Sequence, residues 1–156
     1  MTRAPGEQSR KTASATADNI ERSREGFRLF EAGEIDALIE LYSRDAVVHH
    51  PEGWPESGPS VGRSSIRRQF VALHEGWDEH RVEILEIDGR GDWVVARVKW
   101  EVRGGKSGAD VTLVYSAATR FEGGEIAEVR YCLDHEDALR AAGWAGAQPP
   151  ANPSSG

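Results

Sequence analysis

Cysteine is nearly absent: Cys132 is the single one in 156 residues. This excludes an intrachain disulfide and the multi-cysteine zinc patterns, and fits a reducing compartment. Long apolar runs are also missing, and the opening stretch, MTRAPGEQSRKTASATADN, lacks the apolar centre of a signal peptide. Neither secretion nor membrane insertion is expected, and the cytoplasm is the expected location. Basic residues are few, 19 against 26 acidic for a net charge of -7, and they form no cluster. Nucleic acid, which is held through clustered Lys and Arg, is therefore not an expected partner. No Gly-rich phosphate loop follows a strand, and no Ser/His/Asp order stands out. His49, His50, His74, His80 and His135 offer no i, i+4 pair with a carboxylate motif. Nucleotide or other cofactors, covalent serine catalysis and a metal centre are thus not expected.

What is present suffices for one core, since 38% of the residues are hydrophobic. Residues 1–16 are Ser, Thr, Ala and charge without periodicity and read as a disordered tail; 17–144 read as the folded domain; 145–156, with its prolines and serines, as a second tail. Asp18 or Asn19 can cap a helix carrying Ile20, Phe27 and Phe30 on one face and ending at Gly33. Glu34 to Tyr42 has Ile35, Leu38, Ile39 and Tyr42 at helical spacing. The segment 45–58, DAVVHHPEGWPESG, then reads as a strand stopped abruptly by Pro51, Gly53 and Pro55. Alternation sends Ala46, Val48 and His50 to one side and Val47 and His49 to the other, so His50 is expected to face the interior. Arg63 to His74 reads as a third helix with Ile66, Phe70 and Leu73 buried. Four strands follow, Arg81–Asp88, Asp92–Arg103, Asp110–Glu122 and Glu125–Leu133, as an antiparallel meander. Asp134 starts a closing helix that Gly143 ends. The order implies an α+β architecture, helices on one face of a curved antiparallel sheet with a hollow between the layers.

The ordered set FEAGEIDALIELYSRDAVVHHP, SGPSVGRSSIRR, WDEHRVEILEIDGRGDWVVARV and GGEIAEVRYCLDHEDALRAAG resembles the SnoaL-like branch of the nuclear transport factor 2 superfamily. That is the cone-shaped α+β barrel shared with ketosteroid isomerases, limonene epoxide hydrolases and polyketide cyclases. The resemblance implies a single α+β barrel domain with an internal apolar pocket. Such a frame carries isomerases, hydrolases, dehydratases, cyclases and plain binding proteins. In the isomerases the general-base Asp precedes the strand-ending Pro, a position held here by His50, whose imidazole can take a proton near neutral pH. The isomerases' oxyanion-hole Tyr and protonated Asp match Gly26 and Ala117, so both donors are missing. The Arg and two Asp of the epoxide hydrolases match Val98, Trp100 and Tyr131, which leaves that mechanism nothing to work with.

By the same alternation Val94, Ala96, Val98, Trp100 and Val102, then Leu113, Tyr115, Ala117 and Thr119, then Val129, Tyr131 and Leu133 point inward. The expected site has His50, Tyr131 and Tyr115 as catalytic groups, the tyrosines replacing the missing donors. Tyr42, Trp54, Phe70, Val98, Trp100, Ala117 and Thr119 are the expected substrate contacts, around a hydrophobic small molecule. The outer face, with Trp93, Val95, Val114 and Ala118, is half apolar, so a homodimer packing sheet against sheet is expected. Two functions follow. One is a cofactor-free isomerase, cyclase or dehydratase using His50 as general base on a hydrophobic carbonyl or polyketide-like substrate. The other is a non-catalytic binding protein for a hydrophobic metabolite.

Overall fold

The computed structural model describes residues 5–51, 58–105 and 108–144, with side chains from residue 12 onward. Four helices and six strands follow in the order α1 (Pro5–Ala32), α2 (Ile35–Ile39), β1 (Tyr42–His49), β2 (Ser60–Val61), α3 (Arg63–Glu75), β3 (Glu79–Arg90), β4 (Trp93–Gly104), β5 (Ala109–Glu122), β6 (Glu125–Cys132) and α4 (His135–Ala141). Among the described residues no helix is long and apolar enough to cross a membrane.

The strands form one curved, unclosed sheet in the order β2-β1-β6-β5-β4-β3. The β3 to β6 meander is antiparallel, as the short turns between successive strands require. Its last hairpin turns at Gly123 and Gly124, both at positive φ (57° and 85°), the backbone a two-residue turn requires. β1 departs from expectation by pairing parallel with β6, Val48 opposite Val129 and His49 opposite Arg130, so the sheet is mixed. Its irregular register, between Tyr42 and Val47, is one of three such shifts that bend the strands. Tyr42 therefore opens β1 instead of closing the second helix; Leu41 breaks out of α2, and its carbonyl accepts the Ile126 N–H at 2.9 Å.

The first helix begins at Pro5, well before the expected cap at Asp18 or Asn19, and so takes in most of the stretch read as a tail. Proline suits the first helical turn, where its missing N–H costs nothing. Farther along, α1 packs on β3 where Gly89 leaves room: a Cβ there would stand 2.8 Å from the Thr16 methyl and 3.0 Å from Ile20. The helix stops at Gly33, whose N–H reaches the Phe30 carbonyl while the Glu34 N–H reaches that of Leu29, a paired C-terminal closure.

One apolar core, including Leu29, Leu38, Val48, Ile66, Phe121 and Val129, fills the space between the sheet's concave face and α1 to α3. A second lies on the convex face, where α4 covers Val95 and Ala118 and brings in Ala138, Ala142 and Trp144. The Asp134 carboxylate caps α4 by accepting the Glu136 N–H at 2.8 Å. This helix changes the expectation for the outer face: Val95 is only 3% exposed and Trp93 is half-buried. The uncovered remainder carries Val114 beside exposed ion pairs such as Lys99–Glu83 and Arg103–Asp110.

Candidate functional site

A cavity of about 90 Å³ lies between the concave sheet face and the helices. Alternation along β5 turns Leu113, Tyr115, Ala117 and Thr119 into it, and β6 adds Val129, Tyr131 and, just beyond its end, Leu133. Register aligns these by depth, with Ala117 opposite Tyr131 and Thr119 opposite Val129. Leu133 is 54% exposed, whereas Thr119 and Ile126 are 8% and 4% exposed, so the cavity opens at the Leu133 end and closes at Ile126. Tyr42, Phe70 and Trp100 complete the aromatic walls. Among the described residues no charged side chain borders it, and no group of three or more His, Cys, Asp or Glu is placed to hold a metal ion.

His50 borders the mouth, one residue past β1, where Pro51 ends the strand. Its imidazole belongs to a closed triangle of hydrogen bonds. The Gln69 amide nitrogen donates to His50 Nδ1 at 3.0 Å, the Ser60 hydroxyl donates to Gln69 Oε1 at 2.9 Å, and Ser60 Oγ lies 3.3 Å from His50 Nε2. With the amide so placed, Nδ1 accepts and Nε2 carries the ring hydrogen, which completes the triangle in the neutral tautomer. Gln69 comes from the buried stripe of α3 and Ser60 from β2, so two elements besides β1 fix the ring. His49 points to the other side, as alternation requires, with Nε2 3.1 Å from Glu128, a carboxylate that also meets Arg120 and Arg130.

Three phenols stand together next to His50. Tyr115 and Tyr131 pack edge to face with centroids 5.7 Å apart, and Tyr42 and Tyr131 share a hydrogen bond between hydroxyls. Burial lifts the Tyr115 and Tyr42 phenols well above the usual 10. Burial also raises Tyr131, to about 12, with the Tyr42 bond pulling the other way. All three are neutral at physiological pH and act as donors.

Trp100 is fixed from behind. Its indole N–H donates to His80 Nδ1 at 3.1 Å, and His80 Nε2–H donates to the His74 carbonyl at 2.8 Å. A carbonyl only accepts and an indole N–H only donates, so His80 is held as one neutral tautomer. Burial lowers its pKa below 6.5. His74 stacks on His80 at 4.0 Å, and Phe30 sets its edge against both rings and Trp100.

Of the residues expected from the sequence, His50, Tyr131, Tyr115, Tyr42, Phe70, Trp100, Ala117 and Thr119 border this one cavity. Val98 does not. It is fully buried (0% exposed) on the inward parity, but its short side chain lies opposite Tyr115 and two residues from Trp100, and the larger rings reach the space instead. Trp54 lies outside the described residues. Sequence reasoning missed Gln69, Ser60 and Ser23, the last a buried α1 residue that also borders the cavity.

A family model for the SnoaL-like domain matches residues 23–129. A comparison with curated proteins finds no match. Among solved structures, the chain is similar to Bal32a from a soil-derived mobile gene cassette, with 21% identity, TM-score 0.68, and coverage of 75% of this chain and 89% of that one. It is similar to a nuclear transport factor 2-like protein of unknown function from Burkholderia pseudomallei, with 20% identity, TM-score 0.65, and coverage of 79% and 95%. It is also similar to the epoxide hydrolase/cyclase-like enzyme SalBIII, described for pyran ring formation in the polyether salinomycin, with 20% identity, TM-score 0.65, and coverage of 73% and 88%. These likenesses are likenesses of fold.

Proposed function

The chain belongs to the SnoaL-like domain family, and we propose that it is a cofactor-free enzyme of the isomerase or cyclase type acting on a neutral, hydrophobic carbonyl compound. The observation that carries this reading is that one imidazole and two donor phenols, His50, Tyr115 and Tyr131, border the same uncharged cavity. In the proposed reaction the substrate's carbonyl oxygen accepts from Tyr131, whose own oxygen is polarised by Tyr42, and from Tyr115. His50 takes the proton from the adjacent carbon, the C–H electron pair becomes the carbon–carbon double bond, and the carbonyl becomes an enolate. The proton then returns at another carbon, or the enolate carbon attacks a second carbonyl within the same molecule, whose π pair becomes an alkoxide that takes the proton back from His50. Donors built for a developing oxyanion are worth ~10²–10³ in rate when one is removed. The epoxide chemistry named for one similar structure finds less support, since no charged side chain among the described residues borders the cavity.

A second reading, a binding protein for a hydrophobic metabolite, is favoured by one observation. Both nitrogens of His50 are already engaged, by Gln69 and Ser60. To act as a base, His50 has to exchange the Gln69 bond for the substrate proton. The two readings separate on 2-tetralone, an apolar ketone with exchangeable α-protons, followed by NMR in deuterium oxide. The enzyme reading expects exchange above the buffer rate, lost in His50→Gln and reduced about a hundredfold in Tyr131→Phe. Exchange equal in wild type and His50→Gln refutes His50 as the base and leaves the binding protein.

A further inference from the structure

The closed end of the cavity carries a feature that the proposed proton transfer leaves unused. Ser23 lies on α1, is 7% exposed, borders the cavity, and its hydroxyl has no hydrogen-bond partner among the described residues. A helical serine ordinarily settles its hydroxyl on the carbonyl four residues back. Ser23 does not, although burying a hydroxyl without a protein partner is costly and alanine would be the better helix former.

Its place along the cavity follows from its neighbour. The Arg22 guanidinium lies 3.2 Å from where a Gly124 Cβ would stand, so the side chain next to Ser23 reaches the β5–β6 turn. Seven residues on, Phe30 packs against Trp100. Thr119, 8% exposed, brings a second hydroxyl to the same closed end. Register sets Thr119 two residues deeper than Ala117, the partner of Tyr131. The Thr119 level thus lies roughly 7 Å along the strands from the level of Tyr131.

We infer that the closed end is a second polar subsite, in which Ser23 hydrogen-bonds an oxygen at the far end of the ligand. The ligand class is then a rigid, neutral, largely apolar molecule with an oxygen at each end, one meeting the phenols and the other meeting Ser23. A serine hydroxyl both donates and accepts, so either a ketone or a hydroxyl fits the distal position. Ser23 acts in specificity and touches no reacting atom. This rests on the reading of the cavity as a small-molecule pocket.

The test compares 2-naphthol, with one oxygen, and 2,6-dihydroxynaphthalene, with one at each end, by isothermal titration calorimetry. Wild type is expected to bind the diol about tenfold more tightly, the worth of one good neutral hydrogen bond. Ser23→Ala is expected to melt no lower than wild type, to bind 2-naphthol unchanged and to lose the preference for the diol. Ser23→Thr, which keeps a hydroxyl, is expected to retain it. A diol preference that survives Ser23→Ala overturns the subsite and leaves the pocket reading intact. A preference lost equally in Ser23→Thr also overturns it, because packing and not the hydroxyl is then responsible. If neither naphthalene binds wild type, the pocket reading fails and the subsite falls with it.

Discussion

Replacing Gln69 with leucine tests whether the triangle around His50 is a structural element. Gln69 is 9% exposed, gives its amide N–H to His50 Nδ1 at 3.0 Å and takes the Ser60 hydroxyl at 2.9 Å. Leucine keeps a similar volume and deletes both bonds. Each neutral hydrogen bond contributes about 1 kcal/mol net, so the loss is roughly 2 kcal/mol. Added apolar burial returns at most about 1 kcal/mol, and His50 and Ser60 are half-buried, so solvent replaces part of what they lose. The expected result is a destabilisation of about 1–2 kcal/mol, read from the urea midpoint at constant slope. Arg68→Gln, one residue earlier on the same helix but exposed, is the control and should stay within about 0.5 kcal/mol of wild type. A Gln69→Leu midpoint equal to or above that of wild type refutes the argument, because the triangle then adds nothing to the fold.

Acid should weaken the protein through His80. Burial holds its folded pKa below 6.5, so on acidification the unfolded chain takes up the proton first. The stabilisation is whole above about pH 6.5 and is lost as the pH falls through the folded value. Urea midpoints measured from pH 7 to 5 should fall less steeply in His80→Asn, whose amide oxygen can still accept from Trp100; equal slopes would remove His80 as the cause. Asp134→Ala deletes the α4 cap and should cost about 1 kcal/mol, measured by urea unfolding; no loss would mean that docking on the sheet alone holds α4. We propose that the chain forms a homodimer through what α4 leaves bare of the outer sheet face around Val114, and a monomeric elution volume at micromolar concentration retires that idea.

The α+β frame was legible because period-two alternation and glycine turns leave strands little freedom, and the same alternation placed His50, Tyr115 and Tyr131 on one side. It could not reveal that β1 lies parallel to β6. Inward and outward faces are the same whichever strand is the neighbour, so parity carries no information on pairing. The early part of α1 was illegible for a related reason: its residues have no apolar period of their own, and Thr16 and Ile20 find their support on Gly89 of a distant strand. The missed site residues stand on helices. Ser23 falls between Ile20 and Phe27, and Gln69 between Ile66 and Leu73, each at stripe spacing. A polar residue in an apolar stripe is the mark of a group turned toward an interior site.

The parallel seam between β1 and β6 joins residues near 48 to residues near 129, and ribosomes make chains from the N-terminus onward. His50 and Gln69 are synthesised long before Tyr115 and Tyr131, so during translation β1 waits with one backbone edge unpaired until β6 has emerged. Unpaired strand edges are the usual route to misassembly between nascent chains. Because β1 stops at His49, two residues before Pro51, that waiting edge is short.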